Sequence, residues 1–158
     1  MSKSPVTNIV FAGLGGQGVL KASDIAADVA SGADLDIKKS ELHGMSQRGG
    51  SVTSDVRYGK HVYSPMVTPG EADYLVVLAP DQVEVALPLL KKGGTLIETS
   101  MVDESKLTNK KSANVALLGI LSKSLQFSDE QWLAAIKKNL SEKLYEVNVE
   151  AFQVGKGV

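Results

Sequence analysis

The chain has 158 residues, 43% of them apolar and 22% charged, with a formal net charge of −1 and no cysteine. That length suits one sizeable core, the near-zero charge supplies no global field for nucleic acid or an acidic membrane, and the missing thiols exclude disulfides, thiolate nucleophiles and cysteine-ligated zinc or iron–sulfur clusters in this chain. The N-terminal apolar run is about five residues against the ~7–15 of a signal peptide, and no window reaches the ~18 apolar residues of a membrane span, so a cytoplasmic protein with neither membrane nor nucleic-acid partners is the expectation.

The chain opens with "TNIVFAG", a short apolar run, β-branched at Ile9 and Val10, that reads as a buried strand. "QGVLKASDIAADVASG" follows as a helix with Val19, Leu20, Ile25, Ala26 and Val29 on one face and Gly32 as its stop. "LDIKKSE" is a thin second strand, and "SVTSDVRYG" alternates as a strand with one wet face, which "KHVYSP" extends towards a hairpin. "ADYLVVLAP" is the clearest strand. Asp81 then stands as an N-cap for a helix "QVEVALPLLKKGG" kinked or ended by Pro88. "GTLIETS" is a further strand, and three helical stretches close the chain: "SANVALLGILSKSL", "SDEQWLAAIKKNL" with a Ser128/Gln131 capping box, and "SEKLYEVNVEAFQVG", capped by Ser141 and ended by Gly155. Strands alternating with helices predict an α/β fold with a mainly parallel sheet flanked by helices and a helical C-terminal part.

Two stretches carry candidate chemistry. "FAGLGGQG" places Gly13, Gly15 and Gly18 in a G-x-G-x-x-G pattern between a strand and a helix, with Gly16 and Gln17 inside it. Such a loop holds a nucleotide phosphate at a helix N-terminus, or is a tight turn that lets helix and sheet pack closely. A nicotinamide site also needs an acidic residue ~20 positions on, at the end of the second strand; Glu41 is the one candidate there. "SELHGMSQRGGSV" offers His43 as an acid or base, Gln47, and Arg48 as a two-pronged ligand for a carboxylate or phosphate, beside Gly49 and Gly50, which permit close approach; it also reads as a solvated loop. Neither His43 nor His61 has a partner at metal-ligand spacing, so no metal is expected. "NKK" at 109–111 reads as a solvated turn, Trp132 and Phe152 as core or interface anchors, and Asn114 as a cap or a buried hydrogen-bonding group.

"GLGGQGV", "SELHGMSQRGGSV", "PGEADYLVVLAP", "NVALLG" and "NVEAFQVGK", in this order, resemble the gamma-type domain of the 2-oxoacid:ferredoxin oxidoreductases, a Rossmann-like module, from about residue 8 to 156. "HGMSQRGG" most resembles the beta-subunit branch of the indolepyruvate ferredoxin oxidoreductases. The resemblance implies that residues 1–158 are a single gamma-type domain, serving a complex that oxidatively decarboxylates a 2-oxoacid to an acyl-CoA and passes electrons to ferredoxin. It implies that thiamine diphosphate, Mg²⁺ and iron–sulfur clusters belong to a larger partner subunit, that coenzyme A is a co-substrate, and that this chain is inactive alone. His43, Gln47 and Arg48 would then shape the substrate or coenzyme region, with Gly13, Gly15, Gly16, Gln17, Gly18, Gly49 and Gly50 around a cofactor or subunit contact. A free-standing NAD- or FAD-binding protein and a non-catalytic assembly module are the alternatives. The family has a longer segment, with another strand and helix, where this chain has a short connection over 100–112.

Overall fold

The computed structural model describes residues 5–43 and 50–158. Its elements are β1 (Val6–Leu14), α1 (Val19–Gly32), β2 (Asp36–His43), β3 (Ser51–Gly59), β4 (Ala72–Val77), α2 (Val83–Ala86), β5 (Leu90–Glu98), α3 (Ala113–Ser122), α4 (Asp129–Asn139) and α5 (Tyr145–Lys156). The strands form one sheet in the order β2-β3-β1-β4-β5. β4 runs parallel to β1 and β5, whereas β3 is antiparallel to both β1 and β2. Only β3 is reversed, so the mainly parallel sheet read from the sequence is present, with one antiparallel strand inserted between β1 and β2.

Alternation along β1 supplies both faces of the sheet. Ile9 and Phe11 point into a large core with residues of α1, α3, α4 and α5. Val10 and Ala12 point the other way, against Leu75, Val77, Val67 and Ala86. Burial on both sides is why β1 and β4 read as unbroken apolar runs. Trp132 and Phe152 sit fully buried with ring centroids 5.9 Å apart, each contributing roughly 1.5–3 kcal/mol through the area it removes from water.

The helical side is thick and the opposite side thin. The long helix expected after Asp81 does not form. Pro80–Gln82 and Leu87–Leu89 are 3-10 turns around the four-residue α2, and β5 begins already at Leu90. Pro88 has no N–H to give and its ring collides with the carbonyl four residues back, so the helix cannot propagate. Asp81 lies in the first turn, with Ala79 as the capping residue. "KHVYSP" is not a strand either. Side chains of β2 and β3 hold this segment down: Asp36 accepts from Val62 N at 2.8 Å, Asp55 from Val67 N at 2.9 Å, and Arg57 Nη1 donates to the Ser64 carbonyl at 2.7 Å.

The C-terminal helices follow the sequence more closely. The Ser128 hydroxyl accepts from Gln131 N at 3.2 Å, and Gln131 Oε1 accepts from Ser128 N at 2.8 Å, completing the capping box. Ser141 instead starts a 3-10 turn without a side-chain cap bond. Gly155 does not end α5, which runs on to Lys156. A Cβ on Gly155 would stand 1.8 Å from the Ala116 carbonyl oxygen, and one on Gly119 would stand 2.2 Å from the Phe152 carbonyl oxygen. These glycines let α3 and α5 cross with their backbones in contact.

Candidate functional site

The glycine-rich loop leaves β1 at Leu14 and enters α1 at Val19, and each glycine in it has its own reason. A Cβ on Gly13 would meet Val19 Cγ2 at 2.8 Å, Gln17 Oε1 at 2.9 Å and Leu78 Cβ at 3.2 Å, so Gly13 permits close helix–strand packing. Gly16 and Gly18 have φ of +86° and +81°, a region that L side chains rarely enter. A Cβ on Gly18 would also stand 2.5 Å from Asn114 Nδ2. Gly15 differs: its nearest neighbour would be the Gly50 carbonyl oxygen at 4.0 Å. Nothing inside the described chain requires a glycine there.

Gln17 braces the turn. Its Oε1 accepts from Leu14 N at 2.7 Å, and its backbone N–H donates to the Leu14 carbonyl at 3.2 Å. Gly15 N donates to the Gly50 carbonyl at 3.2 Å, prolonging the β1–β3 ladder into the loop. Asn114, near the start of α3, donates to the Gly18 carbonyl at 3.2 Å and accepts from Val115 N at 2.9 Å. Asn114 is therefore a buried hydrogen-bonding group that ties the first turns of α1 and α3 together.

A cleft lies on each side of this loop. One, of about 450 Å³, is bounded by Gly16, Gly18, Thr99, Lys110, Lys111 and Asn114. The other, of about 420 Å³, is bounded by Gly15, Lys21, Asp24, His43 and Val52. Of the residues singled out in the sequence, Gly13, Gly15, Gly16, Gln17, Gly18 and Gly50 come together at the loop, and His43 stands exposed at the end of β2 beside the second cleft. Gln47, Arg48 and Gly49 lie outside the described residues. Glu41 is two strands from β1, because β3 intervenes, and its carboxylate lies 3.7 Å from Lys39 Nζ. The acidic partner of a nicotinamide ribose belongs beside β1, and Glu41 is not there.

Lys110, Lys111 and Thr99 were not legible as site residues. They reach the first cleft because residues 99–112 cross from β5 to α3 as a strap of three 3-10 turns. The local signal was Asn109 capping a turn just ahead of an apolar helix; the fold-back onto the loop depends on tertiary structure. Among the described residues no group of three acidic or histidine side chains gathers to hold a metal, and a chain without cysteine has no thiolate for an iron–sulfur cluster. No described helix is long and apolar enough to cross a membrane.

Residues 8–104 and 98–157 match the family described as pyruvate ferredoxin/flavodoxin oxidoreductase, in two blocks that overlap on 98–104. The chain is 32% identical over 188 residues to the indolepyruvate oxidoreductase subunit IorB of Thermococcus kodakarensis, covering 94% of this chain and 93% of that protein. The alignment is longer than the 158 residues present here, so that relative carries sequence that this chain lacks. A keto/oxoacid ferredoxin oxidoreductase gamma subunit from Geobacter sulfurreducens has a similar structure, with a TM-score of 0.74 and 28% identity over 94% of this chain and 95% of that one. A 2-oxoglutarate:ferredoxin oxidoreductase from Magnetococcus marinus, solved with 2-oxoglutarate, coenzyme A and succinyl-CoA bound, shares the fold, with a TM-score of 0.82 and 19% identity; 99% of this chain matches 31% of that longer one.

Proposed function

The chain belongs to the pyruvate ferredoxin/flavodoxin oxidoreductase family, and from that premise we propose that it is the gamma-type subunit of a 2-oxoacid:ferredoxin oxidoreductase acting on indolepyruvate or another aryl-pyruvate. Residues 1–158 form its single gamma-type domain. A larger subunit holds thiamine diphosphate, Mg²⁺ and the iron–sulfur clusters, and passes electrons to ferredoxin. Those groups supply the decarboxylation and electron-transfer chemistry. The chain has no cysteine for the clusters, and among the described residues no three acidic or histidine side chains gather to hold a metal; in this proposal its own contribution is to shape and close the region where the 2-oxoacid and coenzyme A meet.

The observation that carries this reading is Gly15. It lies in the exposed part of the loop and borders the cleft beside His43, and no contact within the described chain demands a glycine there. A backbone left bare in this way admits close approach by something from outside, either a partner surface or a ligand. His43, Gln47 and Arg48 lie on or next to the segment leading from β2 to Gly50, and in this proposal they border the same region.

The test is reconstitution. The chain alone is expected to show no indolepyruvate oxidation, and co-expression with the larger subunit is expected to restore coenzyme A-dependent reduction of ferredoxin. Turnover by the chain alone would overturn the division of labour. In the complex, Arg48→Ala should raise KM for the 2-oxoacid or coenzyme A; unchanged KM and kcat would favour a pure assembly module. Saturable NADH or FAD binding by the isolated chain would favour the free-standing alternative, against which Glu41 already counts.

A further inference from the structure

The sheet has two edges, and they are unlike. At one, β2 carries Asp36, Lys38, Lys39 and Glu41, and Lys39 pairs with both Asp24 and Glu41. Charges along an edge strand keep it from pairing with other strands. At the other edge, β5 has β4 on one side and, among the described residues, no strand on the other. Beyond the bulge that separates Leu90 from Thr95, its regular part is Thr95-Leu96-Ile97-Glu98, uncharged until the last residue. No backbone group of the strap 99–112 bonds to this stretch, and Glu98 N donates to Met101 Sδ at 3.4 Å. Thr95 is exposed. So are Val85 and Leu87 on the turns before β5 and Met101 just after it.

The bare edge coincides with a shortening of the chain. An alignment of 188 positions to a chain of 158 residues leaves at least 30 that the Thermococcus kodakarensis relative alone fills. The alignment takes in 94% of this chain and 93% of that protein, so the extra length lies inside it. The family match divides at 98–104, directly after β5. A segment of ~30 residues has room for a further strand and its crossover helix, and consecutive elements settle side by side. A strand added after β5 would lie along the edge that is open here.

We infer that a second copy of this chain covers this edge, the two β5 strands pairing antiparallel about a two-fold axis at Thr95. The edge is complementary to itself. Lys92 stands towards its start and Glu98 at its end, and among the described residues Lys92 pairs with no carboxylate, whereas Lys91 is taken by Asp73. An antiparallel copy brings the Lys92 end of each strand to the Glu98 end of the other. It also sets Thr95 opposite Thr95, a favourable cross-strand pair. The axis stands perpendicular to the sheet, so the thin sides of both copies lie on the same face. There Leu96, Val83 and Leu90 of each copy, with the exposed Val85 and Leu87 beside them, adjoin those of the other. A formal charge of −1 per copy adds little repulsion. The contact is the same patch on both partners, so it closes at two copies.

The test uses the full-length isolated chain, so its result is independent of whether the proposed complex forms. Sedimentation over a wide concentration range should show a reversible monomer–dimer equilibrium. Backbone amide exchange should slow over Thr95–Glu98 as concentration rises, and not over Asp36–His43. Thr95→Lys and Thr95→Glu each place like charges on the axis, and each should weaken dimerisation by about tenfold or more while the monomer stays folded by circular dichroism. An equimolar mixture of the two variants should dimerise again, as mixed pairs. Leu42→Lys adds a charge at an exposed position of the opposite edge and should leave association as in the wild type. A wild-type chain that stays monomeric, a dimer indifferent to Thr95→Lys, a variant mixture that fails to pair, or a dimer lost in Leu42→Lys would overturn the proposal. Slowed exchange over Thr95–Glu98 that appears only when the larger subunit is bound would give the edge to that subunit and equally overturn it.

Discussion

A side chain added at Gly18 and one added at Gly15 should have opposite consequences, although both lie in the same four-residue turn. Gly18→Ala forces an L residue to φ +81° and drives a Cβ to 2.5 Å from Asn114 Nδ2, displacing the amide that holds the Gly18 carbonyl. The conformational cost is about 1–2 kcal/mol and the lost hydrogen bond adds about 1 kcal/mol, so thermal unfolding should show a loss of about 2–3 kcal/mol. Gly15→Ala meets no described atom closer than the Gly50 carbonyl oxygen at 4.0 Å, and its stability should lie within about 0.5 kcal/mol of wild type. The same Gly15→Ala chain, placed in the complex, should lose turnover or assembly despite being well folded; normal activity would mean that nothing approaches this part of the loop. The spacing of the glycines was legible in the sequence, because a G-x-G-x-x-G run between strand and helix is a local pattern. Their division of labour was not, since it depends on Asn114, 96 positions from Gly18, and on Leu78 reaching the loop from beyond β4. Gln17, read in the sequence only as part of the pattern, closes the turn on Leu14.

Helices and strands were readable wherever one local rule acted alone. The Ser128/Gln131 capping box needs four residues of sequence and is formed as read. The segment after Pro80 failed because two rules conflict: an apolar, helix-compatible composition and a proline that forbids propagation, with β4 recruiting Leu90 into its ladder. Gly155 failed for another reason. Glycine near a helix end is usually a stop, but the same residue also permits backbone contact, and sequence alone does not separate the two. The crossing of α3 and α5 makes the distinction measurable. Gly155→Ala puts a Cβ 1.8 Å from the Ala116 carbonyl, which is backbone and cannot rotate away, so the helices must part. A loss of about 3 kcal/mol or more is expected. Gly157→Ala, whose Cβ would lie 3.5 Å from the nearest atom, the Val154 carbonyl oxygen, should be nearly neutral. Equal effects at the two positions would restore Gly155 to the role of a helix stop.

Strand alternation conveyed the class of the molecule but not the place of β3, since no local feature states that an antiparallel strand will separate β2 from β1. That insertion takes Glu41 out of reach of β1 and leaves a sheet covered unequally, by four helices on one side and by a pinned segment and α2 on the other. The thin side is fastened partly by carboxylates, which makes whole-chain stability depend on pH in two opposed ways. Asp36, held below the ordinary carboxylate range chiefly by the N–H of Val62, contributes stability that is present at neutral pH and lost as pH falls through its folded value. Asp103 and Glu150, lowered by hydrogen bonds from Ser105 and Thr108, act in the same sense. Asp55 is raised, because burial outweighs its bond from Val67 N and the attraction of Arg57. Its ionised form costs the fold stability above that raised value, and the cost disappears once both folded and unfolded chains are protonated. Asp55→Asn keeps an acceptor for Val67 N without the charge. It should therefore raise the unfolding free energy at pH 7, by less than about 1 kcal/mol since the group is only half-buried and solvent screens it, with a matching rise in Tm, and the gain should vanish below about pH 4. A gain that persists unchanged at pH 3 would mean that packing, not the buried charge, limits this side of the sheet.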